Sequence, residues 1–474
     1  MPDAGSAARK GEAPPARVAD GFCFAAVGDF IGPFRPEVPL NNAGFERVCE
    51  RLRSADVALG NQEGSIFDLE GFEGHRAAEH GGGYPLSDAV TAQDIRAMGV
   101  TVMSKANNHA TDWGLEGLRA TTRALNAAGI ACAGSGPSRA AARAGTYLET
   151  ARGRVAVVSA ASTFTPMSEA GNTEDHIRAR PGISVLKVRP VVQVGQAEMT
   201  ALDGLAQALG SSNTPDSWLR RGEGWLQFGE QQFRLGPTTG LVYEVDATDR
   251  QEVLRAIRSA SQLADFVAFT LHAHESLSGS GCDSRPAHFV QAMLRDAVDA
   301  GADLVTVTGP HGLRGVEIYR GKPLFHGLGS FFLQLADDRG PTRESARALG
   351  VEPQALTKPE AIARQFQLPA EWYDSVVARS HFDGGRLREV RLHPLVLERQ
   401  PSPRLEGAPR PAPPADALRI LERLREECLR WGTQLSIEGD EGVIRITPLP
   451  PSPPASTPAS PPGSPPARAD HADP

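Results

Sequence analysis

Short apolar runs rich in Val, Ala, Phe and Leu alternate along this chain with stretches in which apolar residues recur every three or four positions. The first kind reads as buried strands, the second as helices that pack one face. "FCFAAVGD", "DVALGN", "VTVMSKA", "RVAVVSAAS", "DFVAFTLH" and "ADLVTVTG" are strands on this basis. "AGFERVCERLRSA", "DAVTAQDIRAMG", "DWGLEGLRATTRALNAAG" and "PAHFVQAMLRDAVDAG" are helices. Such alternation predicts an α/β fold built from βα units on a largely parallel sheet. Two segments break the pattern. "TYLETARGRVAVV" and "RGVEIYRGKPLFHGLGSFF" read as hairpins around "ARGR" and "RGKP", so an antiparallel portion or a second sheet is expected.

The same pattern sets provisional boundaries. Residues 1–20 read as a disordered polar leader, and 21–398 as the main domain, with an irregular insertion or small subdomain over 165–245. Residues 399–415 are Pro-rich and read as a linker; 416–447 hold a helix and a short strand expected to pack back on the core. The Pro/Ser/Ala segment 448–474 is expected to stay extended and solvated.

Composition narrows the function classes. The chain has 474 residues, enough for a proper buried core, and its net charge of −8 is spread rather than blocked. Nucleic acid is therefore not the expected partner, because a phosphate-binding surface needs clustered Lys and Arg. The five cysteines are widely spaced with no CxxC, so core thiols are expected rather than a zinc site or disulfides. No apolar run approaches the roughly 18 residues of a membrane span, and the N-terminus lacks the apolar core of a secretory signal. The expected location is cytoplasmic.

In an open parallel sheet, ligands bind beyond the carboxyl ends of the strands. The first strand ends in Gly28-Asp29, the second in Asn61 and Glu63, and the third in Asn107, Asn108 and His109, with Asp112 one turn on. Two later strands end in His272, His274 and Glu275, and in Thr308 and His311. Each group has an ordinary structural reading. Asp29 could cap a turn, Asn107 and Asn108 could be turn residues, and Asp112 could cap the helix that follows. Together they deliver carboxylates, amides and imidazoles to one edge, a donor set for one or two divalent cations such as Mn, Fe, Zn or Mg. His75, His80, His176, His288, His381 and His393 stand outside strand ends and are left as surface or core residues.

"GDF", "NQE", "ANNHATDWGLEGL", "RPGISVLKV", "LHAHE" and "GADLVTVTGPHGLRGVEIYRGKPLFHGLGSFF" occur in an order that resembles the CapA family. These are the capsule-synthesis and poly-γ-glutamate-associated members of the calcineurin-like metallophosphoesterase superfamily. The resemblance covers about residues 21–335 and implies a layered α/β sandwich of two mixed sheets with metals at the strand ends. It also implies metal ligands at Asp29, Glu63, Asn108, His272 and His311, and a catalytic pair at His109 and Asp112. Lys105, Arg180 and His274 are candidates to hold an anionic substrate. The sequence departs from the family pattern at Ile31, where the superfamily has a histidine, at Thr308, also in place of histidine, and at His326 and Ser330. Either His274 or His326 could compensate for Thr308, or a single metal binds tightly.

The resemblance implies three kinds of activity. One is a metal-dependent hydrolase acting on a phosphoester, or on a γ-glutamyl or other amide bond. Another is a non-catalytic accessory protein that binds a polyanionic polymer or joins a polymer synthetase complex. The third is an epimerase-like enzyme that abstracts a proton from a peptide α-carbon. For the enzymatic readings the expected substrate is an anionic small molecule, peptide or polymer.

Overall fold

The strand Phe22–Ile31 is buried along its entire length, and its alternation shows why. Phe22, Phe24 and Ala26 face one core, whereas Ala25 and Val27 face another. A strand covered on both faces must be apolar on both, which is why it reads as a continuous run. In this computed structural model the described residues are 11–32, 43–214, 216–280, 283–334, 368–399 and 406–446. The leader's first ten residues, Cys282, most of the linker's first half and the tail over 448–474 lie outside them.

Phe22–Ile31 sits in a ten-stranded mixed sheet. Val57–Gln62, Val102–Ser104 and Ala131–Ala133 follow it in parallel on one side. On the other side Asp374–Asp383 pairs antiparallel, and Arg386–Leu397 and Glu441–Arg445 extend the sheet outward. A second, six-stranded sheet has Phe266–His272 at its centre, parallel to Gly153–Ala161 and Leu304–Thr308. The two sheets pack face to face. Phe22, Phe24 and Phe382 of the first meet Phe266 of the second, with Phe22 and Phe266 ring centroids 4.9 Å apart. Helices Ala43–Arg53, Thr91–Met98 and Gly114–Ala127 cover the outer face of the first sheet, and Ala247–Leu263 and His288–Asp299 that of the second. The result is the layered α/β sandwich expected from the sequence.

Both predicted hairpins form, Thr146–Thr150 with Gly153–Ala161 and Val316–Tyr319 with Lys322–Phe325. The second turns through Arg320 at φ 52° and Gly321 at φ 79°, the left-handed pair a two-residue hairpin requires. The run that follows behaves differently. Ser330–Leu333 leaves the six-stranded sheet and pairs in parallel with the end of Phe22–Ile31. This crossover rests on two glycines. A Cβ on Gly28 would lie 1.6 Å from the Gly329 carbonyl oxygen, and Gly329 itself has φ +71°. The register of Phe22–Ile31 shifts between Ala26 and Asp29 at this crossing, where Asp29 stands opposite both Asn61 and Ser330.

Three stretches expected to be irregular carry structure among the described residues. The leader is ordered from residue 11: Ala13 and Val18 are buried, and Ala13, Ala16, Arg17 and Ala19 donate backbone hydrogen bonds to Arg320, Gly385, Asp265 and Arg152. The linker is not wholly irregular, because Pro409–Pro411 adds to the edge of Arg386–Leu397. The 165–245 region holds a five-stranded sheet from Val188 to Val245, with helix Gln196–Leu209 and a small core of Val194, Met199, Ala206, Leu219 and Leu226. The helix Pro414–Arg430 inserts Ile420, Leu421, Leu424 and Cys428 into the core between the sheets. Among the described residues no helix is long and apolar enough to cross a membrane.

Candidate functional site

The carboxyl ends of the central strands meet where the two sheets converge. Asp29 is fully buried and accepts hydrogen bonds from Asn61 Nδ2 at 2.9 Å and from the Gly309 backbone N–H at 3.1 Å. Asn107 Nδ2 donates to Asn61 Oδ1 at 3.1 Å and to the Gln62 carbonyl at 2.8 Å, tying the third strand end to the second. These amides hold the acceptor side of the site rigid.

Glu63 lies at the centre. It is fully buried, and neither carboxylate oxygen has a hydrogen-bond partner. It belongs to two groups of candidate ligands, one with His272 and His274 and one with Asp29 and His311. Glu63 Oε1 is 3.7 Å from His272 Nε2 and 3.8 Å from His274 Nε2, and the two imidazole nitrogens are 3.0 Å apart. Asn108 Oδ1 is 2.8 Å from His272 Nε2, directed there because its Nδ2 donates to the Gly81 carbonyl at 2.7 Å. His311 Nδ1 is 3.6 Å from Asp29 Oδ2.

These donors fit a divalent cation. A buried carboxylate without a donor is costly, and so are imidazole nitrogens facing each other. Burial, with Asp29 nearby, pushes the Glu63 carboxyl well above its usual range. Burial, with His311 and His109 nearby, pushes His274 down to about 3, and His272 is also lowered. Neutral imidazoles and an unsatisfied carboxylate around one point are what a cation needs. His272 Nδ1 lies 3.1 Å from Thr308 Oγ1 and 3.3 Å from Asn61 Nδ2, and its Nε2 faces Asn108 Oδ1 and Glu63.

Beside this cluster stands a dyad. His109 Nδ1 and Asp112 Oδ2 are 2.6 Å apart. Asp112 Oδ1 accepts from the Gly81 backbone N–H at 2.8 Å. Asp112 is therefore not the helix cap that its position before Gly114–Ala127 allows, and that helix has no side-chain cap. The His109 side chain keeps 11% of its surface exposed.

The sequence-predicted residues Asp29, Glu63, Asn108, His272 and His311 come together, with His109 and Asp112 alongside. Four others are placed differently. His274, read as substrate-binding, stands among the metal-ligand candidates beside Glu63 and His272. His326 does not: it is buried against Trp431 with ring centroids 4.0 Å apart, 3.2 Å from Glu317 Oε2. Lys105 is fully buried, with no acceptor for its Nζ, and burial lowers it to about 8, so it is not a surface cation open to a substrate in solution. Arg180 is exposed, and its backbone pairs with Gly171, outside both ligand groups.

Sequence reasoning missed the loop that holds this dyad. A Cβ on Gly81 would fall 2.6 Å from the Asn108 carbonyl and 2.9 Å from the His109 nitrogen. The triple glycine after His80 is the signal that a backbone approaches closely there. Gly81→Ala must displace the Asn108–His109 peptide group from the loop. We expect it to weaken metal binding about tenfold or more, as loss of outer-shell support does, measured by competition with a fluorescent chelator.

The family described as bacterial capsule synthesis protein PGA_cap matches residues 26–334. Two uncharacterized proteins of Sinorhizobium fredii, y4sH and y4uA, are each 39% identical over 443 residues, covering 90% of this chain and 94% of the relative. The capsule biosynthesis protein CapA of Bacillus anthracis is 23% identical over 327 residues, covering 68% of this chain and 61% of that protein. A probable polyglutamine synthesis accessory protein of Mycobacterium tuberculosis is 27% identical over 236 residues, covering 50% of this chain and 46% of its own length.

Proposed function

The chain belongs to the bacterial capsule synthesis protein family, and from that premise we propose that it is a metal-dependent hydrolase. It acts on a phosphoester, or on a γ-glutamyl or other amide bond, in capsule or poly-γ-glutamate type polymer metabolism. The observation that carries this reading is the unpartnered, buried Glu63 carboxylate shared by two groups of ligands next to the His109–Asp112 pair.

Asp29, Glu63, Asn108, His272, His274 and His311 would hold one or two divalent ions. When bound, such an ion supplies Lewis acidity to the scissile phosphoryl or carbonyl group and acidifies water. The chain's own residues do the rest. Asp112 fixes the ring of His109 through Nδ1, and the remaining nitrogen, Nε2, gives a proton to the leaving oxygen or nitrogen. The Gly309 N–H and the Asn61 amide hold Asp29 in place, so this carboxylate does not have to reorganise as charge develops.

The accessory reading has its own support. The Mycobacterium tuberculosis relative carries that description, and Thr308 stands where the resemblance has a histidine. One experiment separates the two. Bound Mn, Fe and Zn are measured in the purified chain, and phosphodiester and γ-glutamyl substrates are assayed with and without His109→Ala. Turnover that needs both metal and His109 supports the hydrolase; bound metal with no His109-dependent turnover supports the accessory role.

A further inference from the structure

Next to His311 a cavity of about 580 Å³ opens between the loop 310–314, the segment 369–372 and helix Pro414–Arg430. Pro310 and Gly312, the residues flanking His311, are part of its wall, and Trp372 packs on the His311 ring with centroids 4.6 Å apart. The cavity therefore adjoins one of the two ligand groups, with Trp372 standing between it and His311. Half of its wall, from Pro369 to Glu427, lies outside the stretch that matches the family.

Arg314 lines the cavity and is 3% exposed. Its Nη2 donates to the Asp283 carbonyl at 3.0 Å, but its Nη1 is buried without an acceptor. Arg423, on the helix, also lines the cavity and has a buried Nη1 with no hydrogen bond; Asp374 Oδ2 is 4.0 Å away. The other charges there are already engaged. Arg419 holds both oxygens of Asp374, at 2.7 and 2.8 Å. Asp283 is taken by Arg285, at 2.9 and 3.0 Å, and Glu427 pairs with Arg430 at 3.4 Å. Glu371 is exposed. Among the described residues of the wall, the buried donors left unused belong to two guanidinium groups, Arg314 and Arg423. A buried guanidinium is costly to leave unmatched, and a planar anion matches its fork best.

We propose that this cavity is an anion subsite, in which Arg314 and Arg423 bind a carboxylate or phosphate on the substrate while the bond to be cut lies at the metal ligands beyond His311. Trp372 forms the wall between the two. The proposal rests on the hydrolase reading for its substrate, but the subsite can be tested separately.

The test is calorimetric titration of the full chain, metal-loaded and chelator-treated, with inorganic phosphate and with γ-glutamylglutamate. Wild type is expected to bind at least one of the probes in both states, and which one tells phosphate from carboxylate. Arg314→Met keeps the stem that packs against Gly327, and is expected to weaken binding tenfold or more with metal content unchanged. Arg423→Met, at a side chain 29% exposed, is expected to do the same and covers the case in which the buried variant fails to fold. The subsite is overturned if neither probe binds, if folded variants bind like wild type, or if binding vanishes with the metal and ignores both arginines. Arginine-dependent binding by a chain that holds no metal in any preparation would keep the subsite and remove the hydrolase reading.

Discussion

Glu63→Gln is expected to remove bound metal and, with it, all turnover, while leaving the metal-free protein as stable as wild type or more so. The substitution keeps shape and volume and deletes the one carboxylate that both ligand groups share. Losing a shared charged ligand should lower metal affinity by at least 100-fold, which corresponds to about 3 kcal/mol. The stability effect runs in the opposite direction. In the metal-free protein Glu63 is buried, its oxygens have no donor, and Asp29 is a like-charged neighbour. A neutral amide escapes most of that desolvation cost, so chemical denaturation of the chelated variant should show a gain of up to about 1–3 kcal/mol. A purely structural Glu63 predicts the reverse on both counts: unchanged metal content and a loss of stability. Metal content by mass spectrometry and denaturation midpoints in chelator give the two readings on the same samples.

His109→Gln is expected to lower kcat by 10²–10⁴-fold, the usual worth of a positioned general acid, with metal content unchanged. The separation follows from geometry. His109 is in neither ligand group, and its Nδ1 is committed to Asp112 at 2.6 Å. Asp112→Asn should fall between His109→Gln and wild type, because the ring stays but loses the carboxylate that fixes its tautomer. Its other partner, the Gly81 N–H, can still be accepted by the amide oxygen, so the loop stays in place. If His109→Gln loses metal and activity together, the histidine is a ligand or a structural prop rather than the proton donor. The comparison needs steady-state kinetics at saturating metal, with bound metal counted in each variant.

Much of this was legible in the residues because strand ends are local features. An apolar run that stops at Gly28-Asp29 or at His272 shows both the strand and its functional edge. Long-range consequences were harder to see. Nothing near Ser330 announces that its strand abandons the hairpin sheet to pair with Phe22–Ile31; the crossing depends on Gly28 and Gly329 fitting against each other across about 300 residues of chain. The long hairpin Asp374–Asp383 with Arg386–Leu397 went unread even though its turn, Gly384-Gly385, has both residues at positive φ and carries an Asp-Gly signal. Helix Ala247–Leu263 was missed beside the irregular region, although Asp246 caps it by accepting from the Asp249 N–H. At the site, ligand types could be read but allocation could not. His274 and His326 were equal candidates to replace the histidine missing at 308, and only packing separates them: one faces Glu63, the other stacks on Trp431. Arg314 carried no signal of its own, because an arginine beside a loop glycine is ordinary until its partners are counted.

Anomalous diffraction from crystals of the full chain, collected on both sides of the Mn, Fe and Zn absorption edges, tests the central claim most directly. The account predicts a peak at ligand distance, roughly 2.0–2.2 Å for nitrogen and oxygen donors, from Glu63, His272 and His274, with Asn108 Oδ1 as a further donor. A second peak at Asp29, Glu63 and His311 would show that both ligand groups are filled. Crystals grown with these metals that show no peak beside Glu63, while its carboxylate keeps a protein partner of its own, would contradict it.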